Sequence, residues 1–170
     1  MSRPGCRQAV VAAATALVDS ALAVTLRAVS REAGVPTSSI YQHFPDPAAI
    51  LQAVCDQAFQ ELEAAVLGAA DAYAAGVAYL DFALAHPRRY RVLFGAADFS
   101  GPALRLFTTV LTDSVRAEPA ADALTLWLGL HGLADQRAAI RRSSQLSVLA
   151  PRLITSLIRH PAHPTWRSPP

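Results

Sequence analysis

Leu26-Arg27-Ala28-Val29-Ser30-Arg31-Glu32-Ala33-Gly34-Val35-Pro36-Thr37-Ser38-Ser39-Ile40-Tyr41-Gln42-His43-Phe44 reads as two short helices joined by a tight turn. Thr25 is a good N-cap, because its side-chain oxygen can take up one of the first unpaired backbone N–H groups. Leu26, Val29 and Ala33 then recur at helical spacing and face inward over about 26–33. Gly34 suits the left-handed position after a helix end, where a Cβ is penalised. Val35 plugs the corner between the helices. Pro36 suits the start of the next helix, about 36–43, since its missing N–H would be unpaired there anyway. Ile40 and Phe44 point inward one turn apart, which leaves Thr37, Ser38 and Ser39 on the first outer turn and Gln42 one turn further. A helix-turn-helix presents DNA with this arrangement: one helix buttresses, and the first turn of the other approaches base edges in the major groove.

Outward from this stretch, helical spacing dominates. A first helix over about 6–18 places Val10, Ala14 and Leu17 on one face. Asp46 followed by Pro47 opens a fourth helix that reaches Val66 or Leu67, with a stripe of Leu51, Val54, Cys55, Ala58 and Leu62. A fifth, about 70–85, carries Tyr73, Val77, Leu80 and Leu84 on one face and Tyr79, Phe82 and His86 on another, and Pro87 stops it. A sixth, about 88–95, holds Tyr90, Leu93 and Phe94, and 96–102 reads as a loop. A seventh, about 102–117, presents Leu104, Phe107 and Leu111. Pro119 opens an eighth, about 119–141, with Leu124, Trp127, Leu128, His131 and Asp135 on one stripe and Leu126, Leu130 and Leu133 on another. A ninth is expected from about Ala150 to His160 despite Pro151, and the proline-rich 161–170 is expected to be a disordered tail. The division expected is 1–45 for the DNA-reading domain and 46–160 for a helical regulatory and dimerisation domain, with 46–67 connecting them.

Composition sets the outer limits. Of 170 residues, 52% are hydrophobic and 16% charged, more apolar surface than one core needs, which suits a dimer interface or an apolar pocket. A net charge of +2 says little about nucleic acid by itself. All 15 basic residues are arginine. Cys6 and Cys55 make neither a disulfide framework nor a zinc site. No signal-peptide pattern follows Met1, and no apolar run reaches the ~20 residues that span a membrane, so a cytoplasmic location is expected. No phosphate-cradling loop, metal spacing or nucleophile elbow is present, so neither enzyme activity nor a cofactor or metal is expected.

Thr25 to Leu51 resembles the DNA-binding domain of TetR-type transcriptional regulators. The resemblance is carried by Leu26-Arg27-Ala28-Val29, Ala33-Gly34-Val35, Ile40-Tyr41-Gln42-His43-Phe44 and Pro45-Asp46. Further along, Tyr79-Leu80-Asp81-Phe82-Ala83 with His86-Pro87, and Trp127-Leu128-Gly129-Leu130-His131-Gly132, look like the tryptophan–histidine–glycine type of TetR regulatory domain. The resemblance implies an all-α homodimer of about nine helices whose first three bind a palindromic operator in double-stranded DNA. It also implies a four-helix bundle between subunits, and a small-molecule effector held among helices four to eight that changes the separation of the two reading heads. By position in the family pattern, Thr37, Ser38, Ser39 and Gln42 read bases, while Tyr41 and His43 clamp phosphate. Thr25 faces a phosphate, Arg27 reaches a base or phosphate, and Arg3 and Arg7 add an electrostatic arm. Three positions depart from the pattern. The linker Asp19–Val24 is short and lacks the usual glycine, Pro47 stands where a phosphate-binding lysine is frequent, and Pro36 stands where serine is frequent.

The aromatic residues concentrate between 73 and 127, as a small-ligand site requires. Tyr79, Phe82, Tyr90, Phe94, Phe107, Trp127 and His131 are the candidate lining. Arg88, Arg89 and Arg91 read as a solvated face, with contact to an anionic ligand as the alternative. Helices eight and nine hold more leucine than one subunit can use, which makes Leu128, Gly132, Leu149, Leu153 and Leu157 the candidate dimer interface. The competing reading is a helical interaction module whose DNA binding is weak or lost.

Overall fold

Gly34 adopts φ +66°, the left-handed value expected at the end of the second helix. The computed structural model describes residues 5–95, 97–112, 119–136 and 151–156. Among the described residues there are nine helices and no strand: α1 Cys6–Asp19, α2 Leu26–Ala33, α3 Thr37–Tyr41, α4 Pro47–Leu67, α5 Ala72–Ala85, α6 Pro87–Gly95, α7 Ser100–Thr112, α8 Pro119–Asp135, and α9 over 151–156. The chain forms two compact units. The first holds Met1–Glu61 and His86–Phe99, and the second holds Leu62–Ala85 and Ser100–Pro170.

The core of the first unit is built from Val10, Ala14 and Leu17 of α1, Val29 of α2, Ile40 of α3, Phe44, and Ile50 and Val54 of α4. The i, i+3, i+4 spacing of these residues made the helices legible, and burying them against one another supplies the driving force. Val92 of α6 packs on the same core, so α6 belongs to this unit although it follows α5 in sequence. Local chemistry fixes the helix ends. Thr25 Oγ1 accepts the Ala28 N–H at 3.2 Å, and Asp46 Oδ1 accepts the Ala49 N–H at 2.7 Å.

The α1–α2 linker manages without glycine. Leu22 N–H bonds to Leu17 O at 2.9 Å and Ala21 N–H to Val18 O at 3.0 Å, the paired bonds of a Schellman helix end. Ala21 occupies its left-handed position at φ +58°. A Cβ in that conformation costs roughly 1 kcal/mol.

In the second unit α8 packs on α5 and α7. Asp71 caps α5, accepting the Ala74 N–H at 2.7 Å. The expected α5 face of Tyr73, Val77, Leu80 and Leu84 is corrected. Tyr73 is exposed, and Ala75, Gly76, Tyr79, Leu80, Phe82 and Ala83 are buried. The helix is apolar nearly all round, so its periodicity carries no direction. Gly76 is the position of closest approach, where an added Cβ would sit 3.1 Å from Ile154 Cδ1 of α9. On α8 the buried positions are Ala123, Leu126, Trp127, Leu130 and Ala134, whereas Leu124 and Leu128 of the expected stripe face outward. α7 begins two residues before its expected start. Pro102 falls in its first turn, where a missing N–H costs nothing. The expected extensions of α7 beyond residue 112 and of α8 beyond residue 136 lie outside the described residues, as do 161–170. No helix among the described residues is long and apolar enough to cross a membrane.

Candidate nucleic-acid interface

Ile40 and Phe44 hold α3 in place. Both are buried, Ile40 fully so, and at i, i+4 they pin one side of the short helix to the core. The opposite side is therefore turned out. Thr37, Ser38, Tyr41, Gln42 and His43 are exposed, and Ser39 is half-buried at the edge. Tyr41 is 56% exposed, an unusual position for an aromatic ring that could have been buried. Thr25 and Arg27 are exposed at the start of α2. The Thr25 hydroxyl spends one lone pair on the α2 cap, and its O–H can still donate to a phosphate oxygen.

α3 is shorter than expected at both ends. Pro36 is the N-cap, with φ −62° and ψ 146°, so the helix starts at Thr37. It closes at Tyr41, with Gln42 as C-cap at φ −67°, ψ −20° and His43 in the following turn. The reason lies downstream. Phe44 precedes Pro45, whose ring disfavours helical backbone at the residue before it. Gln42 still continues the helical path, and its amide stands on the same exposed side as Ser38.

Two contacts that stiffen the turn escaped the sequence reading. Ser30 Oγ donates to Val35 O at 2.6 Å, while Val35 N–H donates to Ser30 O at 3.2 Å, so one residue pair stitches the turn twice. Arg7 places its guanidinium 5.3 Å from the centre of the Phe44 ring, which brings the positive charge of α1 beside the end of α3. Arg3 lies outside the described residues. The Cys6 thiol is within 4.0 Å of Ser39 O, again joining α1 to α3.

The arginine cluster divides, which corrects its reading as a uniformly solvated face. Arg88 and Arg91 are exposed. The Arg89 side chain is 12% exposed; its Nε meets Asp19 Oδ1 at 3.0 Å and its Nη1 meets Glu61 Oε2 at 2.8 Å. Arg89 Nη2 lies 2.7 Å from His86 Nδ1, which must accept this bond. Arg88 also donates to the backbone carbonyl of Asp19. One guanidinium thus ties α6 to the end of α1 and to α4. Residues some seventy positions apart in sequence give no local signal of such a pair.

The candidate effector residues fall into both units. Tyr90 and Phe94 meet at a tilt in the first, with ring centres 4.8 Å apart and planes at 50°. In the second, Phe107 meets Tyr79 edge-on at 5.5 Å, the Tyr79 hydroxyl lies 3.3 Å from His131 Nδ1, and His131 lies 5.3 Å from the Trp127 ring centre. Those four side chains make one contiguous run, and Phe82 is buried on α5. Burial holds His131 below the usual imidazole range, partly offset by the Asp135 carboxylate. Burial, with Asp56 beside it, pushes the Cys55 thiol up to about 11, so it is inert as a thiolate. Of the candidate dimer residues, Leu128 is 53% exposed, Gly132 is exposed and Leu153 is half-buried, while Leu149 and Leu157 lie outside the described residues.

Two family models match the sequence. The model for bacterial regulatory proteins of the tetR family matches residues 10–54, and that for the tetracyclin repressor-like C-terminal domain matches residues 72–157. The chain is also similar in fold to the crystal structure of a protein named as a regulatory protein, SCO4313. The TM-score is 0.70 at 17% identity, over 89% of this chain and 94% of that one. No curated protein matches the chain.

Proposed function

The chain belongs to the tetR family of bacterial regulatory proteins and is a DNA-binding transcription regulator, and from this we propose that it is a cytoplasmic repressor, binding as a homodimer to a palindromic operator and released by a small apolar or aromatic effector. It acts by binding, with no catalytic step. The observation that carries the reading is the outward side of α3. Thr37, Ser38, Ser39 and Gln42 offer hydroxyl and amide groups to base edges, and a Gln amide can pair in both directions with adenine. Tyr41, His43, Thr25 and Arg27 surround that side and are the proposed contacts to phosphate or, for Arg27, a base.

The dimer proposal draws on α8. Leu124, Leu128 and Gly132 follow at i, i+4, i+8 and are exposed. A Cβ at Gly132 would meet nothing within 4 Å among the described residues, so this side of α8 has room for a second copy to approach. Leu149, Leu153 and Leu157 are proposed to complete the interface. The two reading heads would then address half-sites about 34–36 Å apart. For effector release, the proposed lining is Tyr79, Phe82, Phe107, Trp127 and His131, all of the second unit. α4 runs without a break from the first unit through Glu61 into the second from Leu62, so it can carry a displacement.

A gel-shift assay on DNA upstream of the chain's own gene tests the reading. Retention is expected at low salt, lost with Gln42→Ala and with Tyr41→Ala at unchanged stability. Retention of no genomic fragment would favour an interaction module instead, and equal retention by both variants would overturn the assignment of α3.

A further inference from the structure

The inference rests on the reading of Tyr79, Phe107, Trp127 and His131 as an effector site, and specifies the chemistry that site selects. Trp127 is 8% exposed, and its Nε1 is a buried side-chain nitrogen without a hydrogen-bond partner among the described residues. A buried indole N–H usually finds an acceptor, and one left unpaired carries the full desolvation cost of the group. Leucine or phenylalanine would fill apolar space at position 127 without that cost. The donor sits in the ring run described above. His131 lies one helical turn away, with ring centres 5.3 Å apart and planes at 32°, and Tyr79 and Phe107 continue the run on α5 and α7.

We propose that Trp127 Nε1–H is the recognition donor of the effector site, and that it selects an uncharged, ring-bearing molecule carrying a carbonyl oxygen. The apolar body lies along the rings, and the oxygen accepts the indole hydrogen. An anion is disfavoured because Asp135 carries the charge that acts on His131, and burial works against a positive charge on that imidazole. Neither group therefore supplies a positive partner.

The test uses the full chain labelled with ¹⁵N and carrying Trp166→Phe, which leaves Trp127 as the one indole signal. Aryl ketones are titrated beside hydrocarbons of the same shape: acetophenone with ethylbenzene, and benzophenone with diphenylmethane. Benzoate serves as the anionic arm. The proposal expects at least one ketone to move the Trp127 indole proton downfield and to bind about tenfold more tightly than its hydrocarbon. Benzoate should bind more weakly than either. Trp127→Phe, checked for an unchanged melting temperature, should erase the ketone preference and keep hydrocarbon binding. Ketones and hydrocarbons binding alike would overturn the donor role and leave the effector site standing. Binding of none of them would overturn both. An indole signal already downfield in the free protein and unmoved by every ketone would show a trapped water instead, and would also overturn the proposal.

Discussion

The outer sides of α3 and α8 both face solvent in one copy of the chain, and they are opposite in kind. α3 turns out hydroxyls, an amide, an imidazole and one tyrosine, groups that water satisfies and that a nucleic acid can satisfy instead. α8 turns out Leu124, Leu128 and Gly132, which water does not satisfy. A polar surface can be covered and uncovered at small cost, as an operator contact must be. An apolar one favours permanent cover. In the proposed dimer, burying the two leucines of each copy against its mate would remove four half-exposed side chains from water, roughly 3–6 kcal/mol before the cost of association. The first side therefore suits a reversible partner and the second a constitutive one.

The contrast can be broken most forcefully from beneath. Phe44→Ala removes the floor under α3 and should destabilise the first unit by about 3–5 kcal/mol in urea unfolding. Tyr41→Ala, three residues earlier and exposed, should change stability by less than about 0.5 kcal/mol while weakening DNA binding. If the two variants lose DNA binding and stability in parallel, the outward side of α3 is structural. Next in size, Leu128→Asp makes the α8 side polar and, in the proposed dimer, would bring two carboxylates together across the interface. It should weaken the dimer at least about a hundredfold by sedimentation equilibrium, with the monomer fold intact by circular dichroism. An unchanged dimer would place the interface elsewhere.

The two left-handed helix ends sharpen the comparison within the first unit. Gly34→Ala should cost about 1 kcal/mol, and Ala21→Gly should gain up to about 1 kcal/mol, because the strain that the first introduces is already present at the second. The urea midpoints of the two variants should therefore move in opposite directions. The smallest effect is a pH dependence behind α8. His131 is held below its usual range in the folded chain, so the unfolded chain binds the proton first. The stability this contributes is whole above the ordinary imidazole range and is lost as the pH falls through that range to the lowered folded value. The urea midpoint should drop less between about pH 7.5 and 5.5 in His131→Gln than in the parent chain.

The helix-turn-helix was legible because its signals are local. Thr25, Gly34, Pro36, Asp46 and Pro47 each act within four residues of where they stand, and Ile40 and Phe44 have polar neighbours that give the pattern a direction. The end of α3 was misread because Pro45 acts backwards on Phe44, a weaker signal than the outward periodicity. In the second unit the pattern lost its direction. Tyr73 and Leu128 share helical spacing with buried residues, and in helices apolar on every side spacing cannot tell a core from an interface. Arg89 and the orphaned Trp127 nitrogen were invisible for another reason: each is defined by groups distant in sequence, one by the partners it has and the other by those it lacks.

Selection of duplexes from a random pool with the full chain, followed by sedimentation of the bound species, tests most directly whether the outward side of α3 reads DNA in a two-fold assembly. Enrichment of a symmetric site with half-sites about one helical turn apart, bound by two chains and lost with Gln42→Ala, is the predicted result. Enrichment of nothing, of a site bound by a single chain, or of the same site by Gln42→Ala would contradict it.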